Sequence, residues 1–328
     1  MVCRLNKALY GLKQASCNWF SKFSYAIQKA SFTQSKADYS LFTKSKGNTF
    51  TAVLIYVHDI LITGNNELVI KSFKDFLFQQ FHIKDLGNRK YFLGIEGSQS
   101  KKGIFISLRK YALDILNDVE LLGSRRNSFL MKAYLKLNPD DGNPSHDPTK
   151  YRRFVRRLIY LTVTRPNLVY SVQILSQFMQ NPQKTHWEVA LRVLRFIKGN
   201  PDQGLFFPSF NNPTLKAYCD SDWADCETTR RLITGFCVFL GNSLISNKTK
   251  KQTIVARSFI EAEYRAMAAS CLEITWIWHI LEDLKVSQSQ PTSLFCDNQA
   301  ALHIAKNPIF HEHTKYIEID CHIVREKL

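Results

Sequence analysis

Short runs of β-branched and apolar residues, each ended by a polar turn, predict strands at both ends of the chain. Residues 51–55 and 60–63 predict a hairpin whose turn, Tyr56 to Asp59, carries an acid at its tip. Near the other end, strands are predicted at residues 215–222, 233–240, 244–246 and 292–297. The first and the last of these four strands end in acidic residues.

Apolar residues that recur every three or four positions predict helices in the middle of the chain. These helices cover residues 151–164, 168–179 and 185–198, and Pro166 separates the first two. A long helix is predicted over residues 260–285 and a short one over residues 298–306. After residue 213 the order is three strands, a helix, a strand and a helix, which is typical of an α/β domain with a mixed sheet.

Two segments rich in proline, glycine, asparagine and aspartate interrupt these patterns. They span residues 137–150 and 199–213, and we interpret both as linkers. They divide the chain into an N-terminal α+β part, a helical middle and a C-terminal α/β part.

Composition narrows the possible partners. The 328 residues suffice for about two domains, and 44 lysines and arginines against 28 aspartates and glutamates give a net charge of +16. That excess favours a polyanionic partner, either nucleic acid or an anionic membrane surface. The longest apolar stretch, residues 51–63, falls short of the roughly 20 residues that cross a bilayer. With no secretory signal and 8 cysteines that lack paired spacing, we expect no membrane contact and a reduced intracellular compartment, cytoplasmic or nuclear.

Three carboxylates in the last part are candidates for chemistry. Asp220 and Asp297 lie at the ends of predicted strands, where ligands of open α/β sheets gather. Four residues before the apolar stripe of the long helix, Glu263 should face the sheet, whereas Glu261 should face elsewhere. The stripe consists of Met267, Cys271, Ile274, Trp278 and Leu281.

Acids that converge beside a sheet are costly to bury unless a cation joins them, and carboxylate oxygens suit Mg²⁺ or Mn²⁺. Such a centre supports in-line hydrolysis of phosphodiesters. On spacing alone, structural roles stay open: Asp297 as a helix N-cap, Asp220 as a turn former, and Glu263 in a solvated first helical turn.

Several segments carry a resemblance that covers essentially the whole chain in the right order. They include LNKALYGLKQASCNWF, YVHDILITG, IKDLG followed by YFLGIEG, CDSDWADC, RSFIEAEYRAMA and CDNQAALHIAKNP. The chain resembles the reverse transcriptase and ribonuclease H portions of copia-type retrotransposon polyproteins. This resemblance implies an α+β palm and thumb remnant over residues 1–131, a helical connection over 132–212 and an α/β ribonuclease H-like domain with a mixed sheet over 213–328.

The resemblance also implies RNA-directed DNA synthesis with two divalent ions. By resemblance, the polymerase residues are Gly11 beneath the incoming nucleotide and template, the hairpin acid Asp59, and the primer-grip residues Phe92, Leu93 and Gly94. Active members have a metal-binding aspartate where this chain has His58, and their other metal-binding acid lies upstream of the first residue here. We therefore expect no templated DNA synthesis.

The second implied activity is hydrolysis of RNA in an RNA/DNA hybrid, again with Mg²⁺ or Mn²⁺. Asp220, Glu263 and Asp297 match three of the family's ribonuclease H carboxylates and are the expected catalytic and metal-binding residues. The family's fourth carboxylate lies beyond Leu328, so weak or absent cleavage is expected. Smaller departures from the family pattern, at Arg156, Asn247, Phe259 and Ile260, indicate a degenerate copy.

Two basic clusters are candidates for contact with a phosphate backbone. One contains Lys150, Arg152, Arg153, Arg156 and Arg157, and the other contains Arg230, Arg231, Lys248, Lys250 and Lys251. A solvated helix face or loop is the structural alternative for each. Three interpretations stay open for the whole chain: a polyprotein-derived enzyme, a non-catalytic protein that binds a nucleic-acid hybrid or duplex, and a non-functional remnant.

Overall fold

The computed structural model describes residues 13–57, 59–87, 91–131, 137–140, 142–145, 147–222, 231–256, 258–307 and 317–327. It is a mixed α/β structure with several antiparallel sheets. The helices are α1 (Lys13–Lys29), α2 (Glu67–Gln80), α3 (Arg109–Asp118), α4 (Pro148–Leu161), α5 (Val169–Ser176), α6 (Lys184–Ile197), α7 (Phe259–Asp283), α8 (Gln299–Lys306) and α9 (Glu318–Arg325). The strands are β1 (Thr33–Gln34), β2 (Leu41–Lys46), β3 (Thr49–Tyr56), β4 (Asp59–Gly64), β5 (Tyr91–Phe92), β6 (Ile95–Ser100), β7 (Gly103–Ser107), β8 (Gly204–Pro208), β9 (Leu215–Asp222), β10 (Ile233–Leu240), β11 (Ser243–Lys251) and β12 (Ser293–Phe295).

The chain forms two compact units. The first contains Met1–Leu93 and Trp276–Ser287, and the second contains Gly94–Thr275 and Gln288–Leu328. The domain boundaries predicted after residues 131 and 212 stay predictions. In the described part of the chain, no helix combines the length and the apolar character that crossing a membrane requires.

An antiparallel sheet in the order β1-β2-β3-β4 lies at the centre of the first unit. Phe42, Val53 and Ile55 of this sheet are buried against α1 and α2. The helices contribute Phe23, Ile27, Phe73 and Leu77 to the same core. The sheet of the first unit is therefore held by one apolar cluster that two helices cover.

The predicted hairpin is present in this sheet. Strands β3 and β4 pair from Thr51 opposite Gly64 to Tyr56 opposite Asp59, which places Asp59 at the first position after the turn. Val57 occupies the turn with φ +50°, a left-handed conformation that β-branched residues rarely adopt. His58 lies outside the described residues.

Helices α3 to α6 enclose an apolar core in the second unit. Leu158, Leu161, Leu175, Val193 and Leu194 are among its fully buried residues. The three predicted helices are present, but α4 begins at Pro148, inside the first predicted linker. The helix begins there because the Asp147 side chain caps it, accepting a hydrogen bond of 2.8 Å from the Lys150 amide, and because proline suits the first helical turn. An aspartate followed by a proline is the sequence signal for this earlier start.

A buried arginine holds this helical part together. Arg165, at the start of the 3₁₀ turn Pro166–Leu168, is 1% exposed and donates to the carbonyl oxygens of Asn200, at 2.7 Å, and Pro201. Burial lowers the pKa of Arg165 to about 10, so the side chain stays charged at neutral pH. The turn after α6 is thereby tied to the turn before α5.

The second predicted linker contains a strand. Residues 204–208 form β8, which pairs with β7 from Gly103 opposite Pro208 to Ser107 opposite Gly204, and β7 pairs in turn with β6. The partner strand lies about a hundred residues away in the sequence, so nothing near the glycines and prolines of this segment signals the pairing. Tertiary pairing here overrides a local pattern that favours a loop.

The last sheet is mixed, as predicted, with the strand order β11-β10-β9-β12. β9 pairs antiparallel with β10 and parallel with β12. β11 extends to Lys251, beyond the predicted residue 246, because it pairs with β10 along its whole length. On α7 the predicted apolar stripe is buried at Met267, Cys271, Ile274 and Leu281, but Trp278 is 36% exposed, so its assignment to the stripe was wrong.

We expect Gly204→Ala to destabilise the second unit by about 1–3 kcal/mol, the usual cost of an overpacked site. A Cβ atom at Gly204 would lie 2.0 Å from the carbonyl oxygen of Ile106 on the paired strand, and backbone atoms cannot move aside cheaply. Urea unfolding of the full chain measures the change. Gly97→Ala in β6 is the matched control, because no atom lies within 4 Å of its Cβ position. Equal effects of the two substitutions would contradict the packing argument.

Candidate metal centre and nucleic-acid interface

The parallel pair of β9 and β12 sets two acids at one edge of the sheet. Ser293 lies opposite Lys216 and Phe295 opposite Tyr218. Continuing this register by two residues brings Asp297 level with Asp220. The two acids, remote in sequence, therefore lie near the same edge of the sheet, where parallel strands present their carboxyl ends. Asp220 is two residues before the end of β9, and Asp297 is two residues after the end of β12.

Helix α7 contributes the third acid. Glu263 is fully buried, and its Oε1 accepts a hydrogen bond of 3.2 Å from the Ser221 amide. The same amide donates to Oδ1 of Asp220 at 2.7 Å. One backbone N–H thus binds two carboxylates and holds them side by side at the end of β9.

The environment of Glu263 disfavours its charge. Burial, together with the neighbouring charges of Asp220 and Asp297, raises the pKa of this carboxyl to about 7, against the opposing Ser221 hydrogen bond. Within the described ranges, no lysine or arginine forms an ion pair with any of the three acids. A cation among these carboxylates would remove both penalties.

Glu261 has a different environment. Its Oε1 accepts a hydrogen bond of 2.6 Å from Arg265, one turn further along α7. The Arg265 Nε also lies 3.8 Å from Asp320 of α9. Glu261 is therefore engaged in a structural ion pair on another side of the helix from Glu263.

Cys296 belongs to the centre and was missed in the sequence. Ligand atoms of Glu263, Cys296 and Asp297 all lie within 4.8 Å of one another, and the Cys296 Sγ is 3.9 Å from Oε2 of Glu263. Burial raises the pKa of the Cys296 thiol, which keeps it protonated and a poor partner for a hard ion. The signal was its position directly after β12 and one residue before Asp297.

The carboxylate oxygens of Glu263 and Asp297 are donors of the kind that Mg²⁺ or Mn²⁺ prefers. Asp220 is outside the group whose ligand atoms lie within 4.8 Å of one another, and it is linked to Glu263 through the shared Ser221 amide. A helix-capping role for Asp297 is excluded, because the Oδ1 of Asn298 accepts the hydrogen bond of 2.9 Å from Ala301 that caps α8. Because Asn298 caps α8, the Asp297 carboxylate is not used for capping and can contribute to a metal site.

The residues predicted for polymerase chemistry are only partly described. Asp59 is half-buried at the start of β4, whereas Gly11 and His58 lie outside the described residues. Phe92 ends β5, and Leu93 and Gly94 follow with φ values of +54° and +80°. Two consecutive positive φ values form a tight turn between β5 and β6.

The predicted basic clusters divide into exposed and engaged side chains. On α4, Arg153 and Arg156 are exposed. Arg152 donates to the carbonyl oxygens of Met179 and Gln180, and Arg157 pairs with Asp118. Arg153 and Arg156 are therefore freer to contact nucleic acid than Arg152 and Arg157, whose side chains are already engaged.

The lysines of β11 divide in the same way. Lys248 and Lys250 are exposed at alternate positions of the strand, whereas Lys251 donates to Gln177 Oε1 at 2.9 Å. Arg230 lies outside the described residues. Contact of these basic residues with nucleic acid stays a prediction.

Comparisons with known proteins match the chain to a reverse transcriptase family and to transposon polyproteins. Residues 1–132 match the family described as reverse transcriptase (RNA-dependent DNA polymerase). The retrovirus-related Pol polyprotein from transposon RE2 of Arabidopsis thaliana is 40% identical over 327 residues, which is 100% of this chain and 22% of the relative. The corresponding polyprotein from transposon TNT 1-94 of Nicotiana tabacum is 32% identical over 338 residues, 99% of this chain and 25% of the relative.

A shorter relative and the solved structures complete the comparison. An uncharacterized mitochondrial protein of Arabidopsis thaliana is 41% identical over 225 residues, which is 68% of this chain and 93% of that protein. No solved structure matches the chain significantly. The chain spans about a quarter or less of the length of the two Pol polyproteins. The reverse transcriptase match and the identities over the whole chain show that it belongs to the family of copia-type retrotransposon Pol polyproteins.

Proposed function

We propose that residues 213–328 form a ribonuclease H-like domain that cleaves the RNA strand of an RNA/DNA hybrid slowly, with Mg²⁺ or Mn²⁺. One observation carries this proposal: Glu263, fully buried and with its pKa raised to about 7, lies beside Asp220 and Asp297 at one edge of a mixed sheet. A protein gains nothing in stability from such an arrangement, whereas a cation-binding site requires it.

Each acid has a distinct part in this proposal. Asp220 and Asp297 offer oxygens from the ends of two parallel strands, and the Ser221 amide orients both Glu263 and Asp220. Divalent ions at such a site activate water and neutralise the charge of the phosphodiester. Among the described residues three carboxylates are available, enough to hold one ion firmly and a second one poorly, which is why we expect slow cleavage.

For residues 1–131 we propose a polymerase palm and thumb remnant without DNA synthesis. The support is His58, which precedes Asp59 in the sequence and stands where active members of the family have a metal-binding aspartate. Neutral imidazole brings no negative charge and is a poor ligand for Mg²⁺. The primer-grip role of Phe92, Leu93 and Gly94 and the nucleotide contact of Gly11 belong to the same proposal.

A second candidate function is binding of nucleic acid without cleavage. Its support is the net charge of +16 together with the exposed side chains of Arg153, Arg156, Lys248 and Lys250. Both candidates involve nucleic acid as the partner. The enzyme cleaves nucleic acid and needs the three acids to do so, whereas the binding protein cleaves nothing, so a cleavage assay distinguishes the two candidates.

We expect the full chain to cut the RNA strand of a labelled hybrid in Mg²⁺ or Mn²⁺, and Glu263→Gln to slow this by at least roughly 100-fold. Loss of even an outer-shell partner of a metal costs up to about that factor. Asp220→Asn and Asp297→Asn should behave like Glu263→Gln. The matched control is Glu261→Gln, two residues away on α7, which should retain most of the activity. The proposed ribonuclease H activity would be disproved if cleavage survived the Glu263→Gln substitution, or if the native chain did not cleave the hybrid.

Without divalent ions, Glu263 should make stability fall as the pH rises. Its pKa is about 7 in the folded state against an ordinary value of 4.5, so its contribution is present below pH 4.5 and is lost as the pH passes 7. Glu263→Gln stays neutral at every pH. In EDTA its advantage over the native chain should grow between pH 5 and pH 8 to roughly 3 kcal/mol, the equivalent of that shift.

Urea unfolding across this pH range measures the difference. The control is Glu318→Gln, which removes an exposed acid of α9 instead of the buried one. Mn²⁺ should stabilise the native chain at pH 8 and have little effect on Glu263→Gln. A constant difference between Glu263→Gln and the native chain would contradict a buried, desolvated carboxyl.

Primer extension tests the proposal for the N-terminal part. With a primed RNA template, all four deoxynucleotides and Mg²⁺ or Mn²⁺, we expect no product above a control without protein. The reason is the loss of a metal-binding carboxylate at His58, since the ions that activate the primer hydroxyl need acidic ligands. Template-dependent extension would refute the proposal.

A further inference from the structure

The second unit contains a large cavity rich in arginine. Its volume is about 1140 Å³, and Arg125, Arg126, Arg192 and Arg195 line it. Glu188 is the single acid among the described residues of its lining. None of these residues belongs to the carboxylate centre or to the basic clusters predicted from the sequence.

Two segments of the chain build this cavity. One is the loop of residues 124–129, with the sequence SRRNSF, and the other is one face of α6. Thr185, Glu188 and Arg192 recur on that face at spacings of three and four residues, while Val193 and Leu194 are buried in the core on the other side. The amphipathic pattern of α6 therefore directs its basic residues toward the loop.

Two hydrogen bonds connect the loop of residues 124–129 to the end of α6. The Asn127 amide donates to the carbonyl oxygen of Arg195 at 3.0 Å, and the Lys198 ammonium group donates to the carbonyl oxygen of Ser124. These two bonds hold Arg125 and Arg126 opposite the helix. A site ordered before its ligand arrives loses less entropy on binding.

The four guanidinium groups give the cavity a strong positive charge. In the described part of the chain, none of the four arginines forms an ion pair with an acid. The Nε of Arg192 is enclosed and has no hydrogen-bond acceptor there. Four like charges around one cavity repel one another, and the partial burial of Arg192 and Arg195 strengthens the attraction of these two to an anion because less water screens them.

An aromatic side chain gives the cavity a second recognition element. Phe129 is part of the lining and 70% exposed, so its ring is available for contact with a ligand. Basic residues that follow a backbone, next to an exposed ring on which a base can stack, are the combination that binds single-stranded nucleic acid.

We propose that this cavity binds a segment of single-stranded nucleic acid, with phosphates on the four arginines and a base stacked on Phe129. The inference takes its ligand class from the proposed function and needs neither bound metal nor hydrolysis. Its failure is therefore distinguishable from failure of the enzyme, because binding is measured in EDTA.

The experiment measures fluorescence anisotropy of a labelled twelve-residue oligothymidylate with the full chain, over a series of salt concentrations. Each phosphate contact on a single strand contributes about −0.7 to the slope of log affinity against log salt, so Arg192→Gln with Arg195→Gln should flatten the slope by about 1.4. Arg125→Gln with Arg126→Gln should act alike, and these exposed loop residues keep the test valid if the α6 pair weakens folding.

Phe129→Leu should produce a different signature. Affinity should fall by about tenfold with the salt slope unchanged, because stacking is lost and no phosphate contact is removed. The matched charge control is Lys101→Gln with Lys102→Gln in the exposed β6–β7 turn, which should leave the slope as in the native chain.

Three results would overturn the proposal. One is an equal change of the salt slope in the lysine and the arginine double variants, which would mean that binding depends on general surface charge and not on the cavity. Another is competition by thymidine monophosphate as strong as that by the oligomer, which would indicate a site for a single phosphate monoester. The third is preference for duplex over single strand in all variants, since a stacked ring requires an unpaired base.

Discussion

The parallel pairing of β9 with β12 is the constraint on which the candidate centre depends. Because both strands run in one direction, their acidic ends, Asp220 and Asp297, lie at the same edge of the sheet. Antiparallel pairing would have placed Asp297 at the opposite edge. The pair is short, and the Tyr218 and Phe295 rings stack across it with centroids 4.9 Å apart. β12 has one neighbour among the described strands, so a weakly held edge strand sets the geometry of the centre.

Helix α7 completes the centre at a cost in stability. The helix must bury an apolar face on the sheet, and Glu263 lies within that face beside Ala262 and Tyr264, both fully buried. The Ser221 amide compensates only part of the desolvation, and two further acids oppose the charge. Burial of this carboxyl therefore lowers the stability of the fold, and the proposed cation would offset that cost.

Arginine has three distinct uses in the second unit. Arg165 is buried and binds two backbone carbonyl groups, and Arg157 pairs with Asp118 on the surface of the helical core. Arg192 instead lines the cavity and forms no ion pair with any acid that the structure describes. The environment therefore decides whether an arginine stabilises the fold or is available to an anion, and net charge alone does not separate these cases.

The sequence by itself determined the hairpin at residues 56–59, the three central helices, the mixed sheet and the choice of Glu263 over Glu261 as the sheet-facing acid. These are local features, since periodicity and turn residues act over a few positions. It did not reveal β8, whose partner β7 is remote in the chain, or Cys296, which joins the centre through strand register. Nor did it separate Arg153 from Arg152, or show that the loop of residues 124–129 lies on α6. Only the tertiary structure decided these points, because each depends on contacts between segments whose separation in sequence carries no information about their distance in space.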